Sequence, residues 1–248
     1  MTTLREMWAD GGSAVGVWLA IPSVVSAETV ARCGADFVCA DLQHGGIDDT
    51  AFAGIAQAVL LGGSRPIARV AWNDMVSIGR ALDMGAEGVI VPMVNSPEEA
   101  AATVAAVRYP PLGIRSFGPL MGGMREPRYR YDANDRLAVI PMIETAAALA
   151  RIDDILATPG IDAIYVGPDD LGLSLGLPLG TRDESPVFAE AIATILAACR
   201  RHGVVPGIHA TGGWAARRLE QGFRMMAAIS EINAMQSAVA QALHEARA

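Results

Sequence analysis

Eight short apolar runs alternate with eight helical patterns along this chain, and that order predicts a parallel sheet closed into a (β/α)8 barrel, the TIM-barrel class of α/β proteins. The length agrees. A chain of 248 residues is large for an average domain but ordinary for a barrel, so a single domain over residues 1–248 is expected. Turn chemistry agrees as well, because glycine stands where helical patterns stop, in CGADF (33–37), MGAEG (84–88), TPGIDA (158–163) and RHGVVP (201–206). A doubly wound open sheet is the alternative arrangement of the same units.

Apolar period and run length justify the elements in turn. VGVWLA (15–20) and DFVCAD (36–41) are the first two strands, with helices over 23–33 and 48–61 behind them. PIARV (66–70) and GVIVPM (88–93) follow, with helices over 74–84 and 96–107. LAVIPMIE (137–144) and AIYVG (163–167) precede helices over 146–156 and 184–202. VVPGI (204–208) and MMAAIS (225–230) precede helices over 212–221 and 231–246. Residues 108–134 break the pattern as a long connection rich in Pro, Gly and Arg, and loops of that length are commonly functional. Arg108, Arg115, Arg125, Arg128 and Arg130 invite a nucleic-acid reading that the acidic total opposes, so a subunit contact or an active-site cover is expected.

Composition narrows the chemistry. A net charge of −8 disfavours nucleic acid and anionic membranes as partners. No apolar run reaches the roughly 18–20 residues of a membrane helix, and MTTLREMWAD has no signal-peptide pattern, so a cytoplasmic location is expected. Cys33, Cys39 and Cys199 are scattered without a CxxC, which argues against a disulfide framework or zinc site and suits small apolar filling. All 19 cationic side chains are arginine. Without lysine, Schiff-base catalysis, lysine-bound pyridoxal phosphate and a P-loop are excluded. Any carbanion must be stabilised by other means.

In a barrel of this class the reactive groups stand at the carboxyl ends of the strands. Strand two ends in Asp41, followed by Gln43 and His44; strand three carries Arg69; strand five ends in Glu144; strand six runs through Gly167 and Pro168 to Asp169 and Asp170; strand seven is followed by His209 and strand eight by Ser230. Two acids from adjacent strands repel unless a cation lies between them. An all-oxygen pair suits Mg²⁺ or Mn²⁺, which keep water and accept substrate oxygens. Either Asp169 or Asp170 could cap a helix starting near Leu171, and position alone does not decide which. Arg69 on an apolar strand needs an anionic partner, from the protein or from a substrate. The glycines of HATGG (209–213) could open a helix and present N–H groups to an anion. His202 and His244 read as surface residues.

DLQHG, RVAWND, LDMGAEGVIVPMVNSPEEA, RYPPLGIRS, PMIET and VGPDDLGLSLG, in this order over about residues 15–230, together resemble the HpcH/HpaI aldolase family of class II pyruvate aldolases. The resemblance implies a divalent metal (Mg²⁺ or Mn²⁺, with Co²⁺ also compatible) held by Glu144 and Asp170, with Asp169 capping the helix. It implies a His44–Asp41 proton-transfer pair, an enolate-stabilising Arg69, and a substrate carboxylate met by the backbone N–H groups of Asp169 and Asp170 beside Gly167 and Pro168. Asp83 corresponds to an acid that reaches the site of a neighbouring subunit. The implied partners are a 2-ketoacid, pyruvate or hydroxypyruvate, and an aldehyde, within a homohexamer built as a trimer of dimers; the arginine-rich loop and the helix over 231–246 suit such contacts. Gln43, Ser116 and His209 depart from the family pattern and are expected to shape aldehyde choice, His209 by touching substrate. A citrate lyase β or malyl-CoA type lyase using a thioester, and a non-catalytic binding barrel, are the alternatives.

Overall fold

The structure, a computed structural model, describes residues 1–211 and 213–248. Eight strands, β1 (Ala14–Leu19), β2 (Phe37–Asp41), β3 (Arg65–Arg69), β4 (Gly88–Val91), β5 (Ala138–Ile143), β6 (Ala163–Val166), β7 (Val205–His209) and β8 (Met225–Ser230), close in chain order into one barrel of parallel pairs. Their β-branched, near-continuous apolar runs are what strands buried on both faces require. Phe37, Cys39, Ile67, Ile90, Ile140 and Tyr165 fill the barrel interior, while Val38, Ala68, Val89, Val139 and Ile164, of opposite parity, pack outward under the helices.

The helices are α1 (Leu4–Ala9), α2 (Val24–Ala31), α3 (Asp49–Leu61), α4 (Met75–Asp83), α5 (Pro97–Val107), α6 (Leu120–Arg125), α7 (Tyr129–Arg136), α8 (Ala146–Ala150), α9 (Ile152–Leu156), α10 (Pro168–Ser174), α11 (Pro186–His202), α12 (Ala215–Gln221) and α13 (Glu231–Glu245). Asp48, Asp74, Ser96 and Thr145 each accept a backbone N–H at a helix start, and Gly203 ends α11 in the left-handed region at φ 66°.

Several expectations need correction. Helix α1 was not anticipated; a Thr3–Glu6 capping box starts it, and its Leu4 and Trp8 join the interior cluster. The stretch 108–134 is not wholly irregular, since it contains α6 and most of α7, short helices that glycine and charge obscure in sequence. The helix expected over 146–156 is broken at Arg151 into α8 and α9. Helix α12 begins at Ala215 rather than at 212, and Gly212 lies outside the described residues. Cys33 is exposed rather than filling a core, unlike Cys39 and Cys199.

Candidate active site

A cavity of about 310 Å³ opens where the strands end. His44, Arg69, Gly167, Pro168, Asp169, Asp170 and His209 line it, together with Trp18, Tyr165 and Ser230.

Register explains the first pair. Asp41 and Arg69 are direct cross-strand partners at the ends of β2 and β3. Arg69 Nε donates to Asp41 Oδ1 at 2.9 Å and Nη2 donates to Oδ2, forming a bidentate pair in which both residues are buried. Asp41 also accepts from Trp18 Nε1 at 3.1 Å and from the backbone N–H groups of Gln43 and His44, each at 3.0 Å. Burial pushes the Asp41 pKa up, but the Arg69 guanidinium and these donors outweigh it and hold the group below the usual carboxylate range. The expected His44–Asp41 pair is therefore of another kind. Asp41 fixes the turn that carries His44 through its main chain, and among the described residues the imidazole makes no bond to the carboxylate.

Register also explains the second pair. Ile143 lies beside Val166, so Glu144 and Gly167, the next residues on each chain, face one another. Glu144 is 3% exposed, and its Oε1 accepts from the Met93 N–H at 2.7 Å. A Cβ at position 167 would stand 2.6 Å from Glu144 Oε2, so only glycine leaves that oxygen room. Burial raises the Glu144 pKa, and the Asp170 charge adds to the rise against the Met93 hydrogen bond. Two carboxylates thus press on each other, and among the described residues Oε2 has no protein donor. That donor set suits a hard divalent cation with open positions for water and substrate oxygens. No group of three or more His, Cys, Asp or Glu stands together among the described residues, at this cavity or elsewhere, so an ion here would have two carboxylates as its side-chain ligands.

The helix after β6 differs from expectation. It starts at Pro168 with Gly167 as N-cap, so Asp169 and Asp170 lie within its first turn and neither caps it. Pro168 has no N–H, which makes Asp169 and Asp170 the first donors at that end. The Asp169 side chain turns to Arg182, while Asp170 is exposed and lines the cavity.

Asp83 is not brought to this cavity. It ends α4, at the opposite face of the barrel, where Arg115 Nη2 donates to its Oδ1 at 2.7 Å. Arg115 is itself buried over the rings of Tyr109 and Tyr129. Gln43 is part-buried beside Asp41, and Ser116 is exposed in the connection before α6.

Three site residues escaped the sequence reading. Trp18, on the first strand, stacks on Tyr165 with centroids 5.7 Å apart and carries the Arg69 guanidinium 5.1 Å from its ring centre. Its signal was a lone tryptophan in an otherwise aliphatic strand. Tyr165 lines the cavity and its hydroxyl accepts the Ala227 N–H at 3.2 Å, bracing β6 against β8. Met93 holds φ at 56°, a left-handed conformation that non-glycine residues rarely adopt, and it presents its N–H to Glu144. Nothing in its residue type announces that.

The comparisons with known proteins decide the family. The model described as HpcH/HpaI aldolase/citrate lyase matches residues 14–237. The chain belongs to that family. The hydroxypyruvate/pyruvate aldolase of Rhizorhabdus wittichii is 39% identical over the whole of both chains. A 2-dehydro-3,6-dideoxy-6-sulfogluconate aldolase of Pseudomonas putida is 37% identical over 90% of this chain and 88% of its own. The crystal structure of an HpcH/HpaI aldolase/citrate lyase family protein from Burkholderia cenocepacia superposes with a TM-score of 0.92 at 33% identity, covering all of both chains. As a member of this HpcH/HpaI family the chain is an aldolase-type carbon–carbon lyase on the closed parallel barrel that its relatives share.

Proposed function

We propose that the protein catalyses reversible, divalent-metal-dependent aldol cleavage and addition of 4-hydroxy-2-ketoacids, with pyruvate or hydroxypyruvate as enolate donor and an aldehyde as acceptor. The observation that carries this reading is that Asp170 and the buried Arg69 guanidinium line one cavity, while the charges of both act on the buried Glu144, whose Oε2 has no protein donor among the described residues. Glu144 and Asp170 would hold the metal, Mg²⁺, Mn²⁺ or Co²⁺. When bound it supplies Lewis-acid polarisation of the ketoacid's keto oxygen.

The chain's own groups do the rest. The start of α10 receives the ketoacid carboxylate through the N–H groups of Asp169 and Asp170. Arg69, aimed by its two bonds to Asp41, donates to the oxygen on which negative charge grows as the enolate forms. Because Asp41 engages Nε and one N–H of Nη2, the two N–H groups of Nη1 and the second of Nη2 are left for substrate. His44, on a turn pinned by Asp41 and exposed to the cavity, takes the proton from the ketoacid's C3 and returns it to the C4 alkoxide formed when the enolate adds to the aldehyde; in cleavage it takes the C4 hydroxyl proton and delivers it to C3. Tyr165 and Trp18 exclude water from the cavity floor.

The reading includes a cytoplasmic homo-oligomer, a hexamer built as a trimer of dimers, in which Asp83 serves a neighbouring protomer's site. Support comes from its distance from its own cavity and from Ile114, Phe117, Leu120 and Met124, large apolar residues exposed in the connection that carries Arg115 and in α6. Loss of pyruvate methyl protons to D₂O, dependent on added metal and absent in Glu144→Ala and Asp170→Ala, tests the chemistry. Aldolase turnover retained by either variant would sink the metal assignment.

A further inference from the structure

His209 ends β7 at the cavity, and the enolate chemistry gives it nothing to do. Its ring stands edge-on to Trp18 at 5.0 Å. Among the described residues the histidine ring with a hydrogen-bonded partner is His202, on Asp153; the His209 ring has none. Ser230 faces the same cavity from the end of β8, where it pairs across the sheet with Trp18 of β1. The ends of β7, β8 and β1 therefore form one continuous piece of wall. It carries an imidazole from β7, a hydroxyl from β8 and an indole from β1.

Chemistry narrows what this wall recognises. Burial, helped by the nearby Arg69 charge, pushes the His209 pKa down to about 4, so the ring is neutral near pH 7. A neutral imidazole has one nitrogen that donates and one that accepts. Ser230 Oγ accepts the Asn233 N–H at 3.3 Å and keeps its own O–H to donate. Neither group offers a charge, which disfavours a carboxylate or phosphate there. Both match a carbinol. An aliphatic group in the same place would leave the imidazole dry and unpaired, and a site built that way rejects the hydroxyl-free analogue.

We propose that His209 and Ser230 form a subsite for a hydroxyl-bearing carbon of the substrate, so that this enzyme selects hydroxylated over alkyl reactants. The proposal rests on the aldolase reading above and deepens it. Two substrates present such a carbon, the hydroxymethyl group of a hydroxypyruvate-type donor and the α-hydroxyl of an acceptor aldehyde. Isosteric pairs in which methyl replaces hydroxyl separate them.

The experiment measures two ratios of kcat/KM on the full-length, metal-loaded enzyme. One compares glycolaldehyde with propanal as acceptor for pyruvate. The other compares hydroxypyruvate with 2-oxobutanoate as donor toward propanal. We expect the wild type to favour the hydroxylated member in at least one pair, and His209→Leu or His209→Phe to lower that ratio about tenfold, with His209→Gln recovering part of it. Which ratio falls identifies the source of the hydroxyl. Each ratio is taken within one protein, so a general loss of activity or of folded enzyme cancels. Ratios unchanged in both apolar variants, or a wild type indifferent to the hydroxyl, overturn the subsite while pyruvate proton exchange leaves the aldolase reading standing. Absence of that exchange in the wild type defeats the aldolase reading itself and the subsite with it.

Discussion

Asp41 accepts hydrogen bonds from Trp18, Arg69 and two backbone amides at once, and a carboxamide in its place accepts through one oxygen only. Asp41→Asn leaves Arg69 buried with half its partner, a change that costs about 3–5 kcal/mol where a buried pair is broken. We expect a lower midpoint in urea and a raised KM for pyruvate in that variant. The pair also sets a pH dependence. The folded pKa of Asp41 lies below its usual value, so its contribution is present in full above about pH 4 and is lost as pH falls through the folded value. His209 acts in a different window. Its folded pKa of about 4 lies below 6.5, so the unfolded chain binds the proton more readily between those values and stability falls as pH drops from 6.5 to 4. Thermal melts across that window should show a shallower slope for His209→Leu than for the wild type. Asp169→Asn removes an exposed ion pair with Arg182, worth less than about 1 kcal/mol, and should change kcat/KM by no more than roughly fivefold.

At the scale of elements, the register of β5 against β6 sets Glu144 opposite Gly167. Gly167→Ala drives a methyl into the Glu144 carboxylate, and the expected result is loss of metal affinity, read by titration with Mn²⁺, alongside a melting temperature lowered by an overpacking cost of about 1–3 kcal/mol. Retained affinity would mean that Glu144 does not hold the ion. The same scale shows what sequence could reveal. The strands were legible because buried parallel strands are short apolar runs, and Asp41, Arg69, Glu144 and the undivided pair Asp169–Asp170 stood out as polar residues at or just after the ends of such runs. The start of α10 was misjudged because Gly–Pro reads as a turn, whereas proline fits the first helical position. Helices α6 and α7 were hidden by glycine pairs and charge, and α1 went unread despite its Thr3–Glu6 capping box. The bond from Asp41 to the His44 main chain, rather than to its ring, depends on backbone geometry that no residue pattern encodes.

On the scale of the whole molecule, the barrel gathers groups from β2, β3, β5, β6, β7 and β8 at one mouth, while Asp83 faces away at the far end of α4. Helix α13 is exposed along most of its length and carries Met235, Val239 and Leu243 in the open. Both features fit a chain that works as an oligomer. Sedimentation velocity should give a species several times the 25.9 kDa chain mass, and Asp83→Ala should lose activity without dissociating it. A fully active monomer would remove Asp83 from the mechanism. The most direct measurement concerns the enolate itself: proton NMR of the pyruvate methyl signal in D₂O, with Mg²⁺ or Mn²⁺ and again with excess EDTA, with no aldehyde present. We expect the signal to decay with metal and to persist with EDTA. A signal that persists in both, with hydroxypyruvate equally inert, would contradict metal-assisted enolate formation at Glu144, Asp170 and Arg69.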